Sequence, residues 1–270
     1  MTFRPGLGGN LFVNQIVTLF AITGSVFITR RFFDRRSISS LGLKINSQVL
    51  KDLGIGIMIP MFMMGLIYLI LWTAGWLDFQ GFAWGEDSFG TIIYELVAAF
   101  IIFVFVGWNE ELLSRGYHLQ TLESGLNTIW AVLLSSAVFG VLHLANPNAD
   151  SVLNVAIGIF LAGVFLAFGF LRTRQLWLPI GLHIGWNFFE GIIFGFPVSG
   201  LETYRLTLIT IRGPKLWTGG AFGPEAGLVL IPALVLGFVL VYLYTRGRLE
   251  MPLVTADQDS DDQGDNKINT

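Results

Sequence analysis

The sequence predicts an all-α fold, a polytopic transmembrane helix bundle of about seven or eight spans. Three observations predict it. Of 270 residues, 53% are hydrophobic and only 13% are charged, with 24 Phe and 8 Trp, whereas a soluble domain carries roughly 25% charged residues. Mean hydropathy is +0.66. The apolar residues fall in runs long enough to cross the hydrocarbon core. The net charge of -3 is small and argues against a nucleic-acid partner, and the absence of cysteine excludes disulfides, a thiol nucleophile and a Cys-ligated metal.

Taken in order, Leu11 to Thr29 is the first span; it lacks a small-residue cleavage site and reads as retained. Arg30, Arg31, Arg35, Arg36, Lys44 and Lys51 follow, the densest basic stretch of the chain. By the positive-inside rule this segment is cytoplasmic, so the N-terminus is expected outside and the C-terminus inside. Leu53 to Trp72 returns, and the loop Thr73 to Gly90 holds Asp78, Glu86 and Asp87 without a Lys or Arg. A third span starts near Thr91 and runs into Gly107-Trp-Asn-Glu-Glu-Leu-Leu-Ser-Arg-Gly116. Asn127 to Ala145, Val152 to Leu171, Leu176 to Gly195 and Gly227 to Tyr244 complete the spans. Between the last two, Leu201 to Pro224 is a loop in which Tyr204 to Ile211 alternates weakly, as a short strand does. The tail from Thr255 carries five Asp and few apolar residues, and is expected to be disordered. The division is therefore 1–90 for the N-terminal spans and basic loop, 91–245 for the core, and 246–270 for the acidic tail.

The polar residues inside these spans carry the chemistry. Glu111 and Arg115 are four apart, share a helix face and can pair. Glu110 lies about 100° round the helix and needs a different partner. His143 ends Phe139-Gly-Val-Leu-His143 in the fourth span, and His183 opens His183-Ile-Gly-Trp-Asn187 in the sixth. His183 and Asn187 share a face. With the third helix continued to about Glu123, Glu110 and His143 stand roughly 22 and 27 Å from the turn at Ser124-Gly125. His183 and Asn187 stand roughly 13 to 20 Å from Arg174 on the same side. Comparable depth favours one site. Two carboxylates, two histidines, an amide and an arginine suit activation of water, with a glutamate as general base. The histidines can share that task, bind a divalent metal such as Zn2+, or donate to an oxyanion. Asn187 suits an oxyanion or substrate carbonyl, and Arg115 orients Glu111. His118 reads as a surface histidine at the helix end, and Glu95 as solvated. Glu190, three residues past Asn187, reads equally as a partner to the site or a wall residue. The Gly181-x-x-x-Gly185 spacing reads as close helix packing.

Glu110-Glu-Leu-Leu-Ser-Arg115, Phe139-Gly-Val-Leu-His143 and His183-Ile-Gly-Trp-Asn187 resemble, in order and spacing, the three signature motifs of the CPBP intramembrane proteases. That family groups CAAX prenyl endopeptidases with bacteriocin-processing and bacteriocin-immunity membrane proteins. The resemblance covers about Leu96 to Gly227. It includes Leu176-Trp-Leu-Pro-Ile-Gly181, Pro197-Val-Ser-Gly200 and Gly219-Gly-Ala-Phe-Gly-Pro-Glu225. It departs at Ser114, where relatives often carry an aromatic residue. It implies a conical catalytic cavity inside the membrane, Glu110 as the base with His143 beside it, and His183 with Asn187 steadying an oxyanion. It also implies a membrane-associated peptide or protein substrate and a multi-pass protein of the cell membrane. A metal site of Glu110, His143 and His183 competes with a metal-free glutamate mechanism. The rivals are a non-enzymatic immunity-type membrane protein and an ion-coupled transporter using Glu110 and Glu111 as a proton relay.

Overall fold

The computed structural model describes residues 9–248; the tail expected to be disordered lies outside them. The helices are α1 (Gly9–Ile28), α2 (Val49–Thr73), α3 (Phe89–Glu111), α4 (Gln120–Gly125), α5 (Thr128–Leu142), α6 (Val152–Thr173), α7 (Trp177–Asn187), the short α8 (Lys215–Thr218) and α9 (Leu230–Thr245). All seven apolar runs are helical, and the protein is a mostly helical, multi-pass membrane protein. Among the described residues, five helices are long and apolar enough to cross a membrane, and Leu230–Thr245 is a shorter apolar helix.

Local chemistry sets the helix ends. The Ser88 hydroxyl accepts a hydrogen bond from the Thr91 amide at the start of α3, and Asn127 accepts one from Trp130 at the start of α5. From α3 the chain runs unbroken to Gly125, but Leu112–Leu119 adopts the wider π-helical turn. α7 likewise passes into a π-helical segment, Phe188–Ile193, immediately after Asn187. Such segments are uncommon and often mark functional positions. Arg30, the first residue of the basic stretch that follows the first span, is buried. It donates to Ser40 Oγ at 2.9 Å and to Gln120 Oε1 at 3.3 Å, tying the end of α1 to the start of α4.

The sixth expected span differs from a lipid-facing helix. Every residue from Leu178 to Asn187 is buried, so protein surrounds α7 on all sides. Its neighbour α2 comes close enough for backbone to touch backbone. A Cβ on Gly181 would sit 2.6 Å from the Leu53 carbonyl oxygen, and one on Gly56 2.6 Å from that of Leu178. A Cβ on Gly185 would run into the Ile57 carbonyl. Small residues let membrane helices approach in this way. Between the helices, Ile59, Met63, Leu178, Leu182 and Trp186 join one apolar core with Phe165 of α6 and Leu234 of α9.

The expected strand is present as β2 (Thr207–Ile211), shorter than the Tyr204–Ile211 stretch. Its partner is β1 (Leu77–Phe82), which lies within what the sequence presents as a plain loop. The pairing is antiparallel, with Leu77 opposite Ile211 and an irregularity between Phe79 and Gly81. That irregularity, with a glycine inside the strand, breaks the alternation by which a strand is recognised.

The α2–α7 contact yields a stability prediction. Gly185→Ala should lower the stability of the detergent-solubilised protein by about 1–3 kcal/mol, the typical cost of overpacking. Gly54→Ala, with no atom within 4 Å of the added methyl, should be neutral or stabilising. Thermal melting of the two variants beside the parent chain checks this.

Candidate active site

Several helices and two loops converge on one cavity of about 190 Å³, lined among others by Glu110, Phe139, His143, His183, Asn187 and Glu225. The last turn of α3 supplies adjacent carboxylates that point in different directions. Glu111 is fully buried, whereas the Glu110 side chain is 34% exposed. Glu111 Oε1 accepts from Arg115 Nη1 at 2.8 Å and from His183 Nδ1 at 2.9 Å. Arg115 is itself 1% exposed, donates through Nη2 to the Gly163 carbonyl at 2.8 Å, and lies over the Phe139 ring at 4.5 Å. A buried carboxylate and guanidinium are tolerated when paired and further hydrogen-bonded, as here. Glu111 and Arg115 are therefore not the self-contained pair that their spacing suggests. The same carboxylate oxygen also orients His183.

Glu110 faces the other way. Its Oε2 lies 3.7 Å from His143 Nε2 and 3.8 Å from His183 Nε2, and has no hydrogen-bond donor among the described residues. The two rings are oriented alike. His143 Nδ1 lies 2.8 Å from the Phe139 carbonyl oxygen, and His183 Nδ1 meets the Glu111 carboxylate. Both partners can only accept, which assigns the Nδ1 proton in each ring by the bond it makes. A neutral imidazole then presents the Nε2 lone pair to Glu110. Three acceptors facing one another need a donor or a cation among them. A water molecule or an added imidazole proton meets that need, and the donor types would suit a divalent ion as well. Among the described residues, however, no trio of His, Asp or Glu side chains is closed into a metal-ligand cluster.

Asn187 lies one helical turn beyond His183 and also lines the cavity. The structure thus brings Glu110, His143, His183 and Asn187 to one space and places Glu111 and Arg115 behind it. His118 does not line the cavity, and Glu95 sits far along α3 toward its start. Glu190 is fully buried yet is no wall residue of the cavity.

Residues 92–189 match one family model, described as Type II CAAX prenyl endopeptidase Rce1-like. This is the family that the three motifs resemble. The match contains all three motifs and ends two residues past Asn187. The chain is also 27% identical over 192 residues to the uncharacterized protein YyaK of Bacillus subtilis (strain 168), an alignment covering 67% of this chain and 60% of that protein. The chain thus spans about 60% of the length of the curated relative it matches. The Rce1-like family is a family of proteases.

Residues outside the three motifs complete the cavity. Glu225 is buried in its wall; Oε1 accepts from Trp186 Nε1 at 2.9 Å, and Oε2 accepts from the Ser199 amide at 2.8 Å and its hydroxyl at 2.6 Å. Glu225 and Ser199 stand in stretches that share the family resemblance, but a single acid in a Gly-rich loop gave no chemical signal of its own.

Removing the buried cation should be costly. Arg115→Ala leaves Glu111 without its charge partner in the bundle interior, and should destabilise the protein by about 3–5 kcal/mol. Denaturation in detergent measures this, and Lys44→Ala, at an exposed position, serves as the tolerated comparison.

Proposed function

We propose that this chain is an intramembrane endopeptidase that hydrolyses peptide bonds of membrane-associated peptides or proteins. The observation that carries the reading is the Glu110 carboxylate oxygen, without a donor and facing two imidazole Nε2 atoms at 3.7 and 3.8 Å inside a cavity of the helical bundle. A family match over the same residues supports it.

In this reading a water held between Glu110 Oε2 and His143 Nε2 gives its proton to Glu110 as its oxygen attacks the scissile carbonyl. The oxyanion that forms needs donors. Asn187 offers its amide N–H, and His183 donates through Nε2 when protonated, its other N–H already directed to Glu111. Glu110 then passes the proton to the leaving amine. Glu111 and Arg115 do not touch the reacting atoms; they hold His183 in the orientation that this chemistry needs. If bound, a divalent ion on Glu110, His143 and His183 would polarise the same water. The basic cluster from Arg30 to Lys51 supports an orientation with the N-terminus outside and the C-terminus in the cytosol.

Comparative proteomics of membrane peptides from cells carrying the wild type or Glu110→Ala tests the reading. Peptides produced only with the wild type are the expected result, and identical peptide sets would overturn it. In vitro, Glu110→Gln should reduce turnover by about 10²–10⁴-fold, and Asn187→Ala by about 10²–10³-fold, the usual loss of an oxyanion donor. A proton-relay transporter would instead tolerate Asn187→Ala. A separate measurement concerns metal. Activity should survive exhaustive chelation under the glutamate–water reading; loss on chelation, restored by Zn2+, would place an ion on Glu110, His143 and His183.

A further inference from the structure

The cavity has a second wall that the proposed chemistry leaves unused. It is built from the turn Val198–Leu201, where Val198 and Leu201 bridge to each other and, with Ser199, line the cavity. Ser199 adopts a left-handed backbone conformation (φ 46°), which a non-glycine residue keeps only when its surroundings enforce it. The enforcement is visible on every side. Asn146 Nδ2 donates to the Ser199 carbonyl at 3.1 Å and Asn148 Nδ2 to the Gly200 carbonyl at 2.8 Å, both from the loop that follows His143. The Gly200 amide donates to the Phe222 carbonyl at 2.7 Å. The Ser199 amide and hydroxyl both donate to Glu225, whose other oxygen takes the Trp186 indole N–H.

Trp186 stands between His183 and Asn187 in the α7 sequence. One buried carboxylate therefore connects the helix carrying half of the proposed site to a strained turn on the cavity wall. Three donors satisfy that carboxylate, so it stays stable without solvent.

We propose that Glu225 is a positioning residue of the cavity, a clamp that locks Trp186 of α7 to the Ser199–Gly200 turn and so sets the wall against which a substrate chain is held. The role extends the peptidase reading and rests on it for its effect on turnover; the clamp itself does not depend on that reading. Glu190 belongs to the same construction from behind. It is fully buried close to Trp186 and Glu225, and neither of its oxygens has a hydrogen-bond partner among the described residues. At position 190, where no donor meets the side chain among the described residues, glutamine keeps its size without breaking a bond. At position 225, a glutamine amide would oppose donors where the clamp needs an acceptor.

The chain has no cysteine, so a single reporter thiol can be placed at the buried turn residue Val198 of the full-length protein in vesicles. Maleimide labelling of Val198→Cys should be slow in the otherwise wild-type chain. Adding Glu225→Gln should speed it by about tenfold or more, the scale of losing hydrogen bonds to a charged group. Adding Glu190→Gln should leave the labelling rate within about twofold of the reporter chain. Thermal melting confirms that each variant is folded. With a fluorescence-quenched prenylated CAAX peptide as the probe, Glu225→Gln should raise KM by about tenfold while kcat changes much less. Unchanged labelling in a folded Glu225→Gln chain would overturn the clamp, as would Glu190→Gln loosening the turn equally. If Glu110→Gln cleaves the peptide as well as wild type, the peptidase reading fails, and the labelling result alone then decides the clamp.

Discussion

The site depends on one buried cation. Arg115 has no route to water, so its charge must be met inside the bundle, and each group that meets it belongs to a different helix. Glu111 lies one turn before it, the Gly163 carbonyl on α6, and the Phe139 ring on α5. Through Glu111 the network reaches His183 on α7. An ion pair of this kind contributes little net stability compared with an apolar replacement, but removing one partner is costly. Its contribution is geometric. It fixes where α5, α6 and α7 lie around the end of α3, and it fixes the face that His183 turns toward the cavity.

That arrangement divides the labour between two adjacent carboxylates. A helix turns about 100° per residue, so Glu110 and Glu111 cannot both face the interior of the same network. Glu111 is fully buried and hydrogen-bonded to two cation-forming side chains, and so is committed to structure. Glu110 is left beside the cavity, with one oxygen unpartnered between two imidazoles. A carboxylate oxygen and two lone pairs at that separation repel unless a donor stands among them. The geometry therefore creates a demand for a water molecule or a cation at the point where hydrolysis would begin.

Much of this was legible in the sequence because it follows from composition and spacing. The seven apolar runs gave seven helices, the interval of four gave the Glu111–Arg115 pair, and the estimates of depth brought Glu110, His143 and His183 to one level. What was not legible depends on backbone geometry or on contacts distant in sequence. The π-helical segments begin directly after Glu111 and directly after Asn187, and nothing in an apolar run distinguishes a π-turn from an α-turn. α7 reads as a span of the same kind as its neighbours, yet it is encased by protein. Its glycines indicated close packing without indicating that α2 was the partner. β1 was missed because a glycine at its irregularity masks the alternation. Glu225 was missed because its partners, Trp186 and Ser199, lie 39 and 26 residues away.

The burial of α7 also explains how polar chemistry is possible within this bundle. A helix exposed to lipid could not carry a histidine, an asparagine and a buried indole N–H along one short stretch at acceptable cost. With protein on every side, Glu111 meets His183, Glu225 meets the indole of Trp186, and Asn187 faces the cavity. The close approach to α2 is what allows this encasement. Gly181 and Gly185 leave one face of α7 thin enough to lie directly on backbone, so its other faces can turn toward α3, α6 and the cavity. The small residues of the third motif and its polar residues thus serve the same end. The glycines bring the helix into the interior, and the interior is where His183 and Asn187 can be held without water.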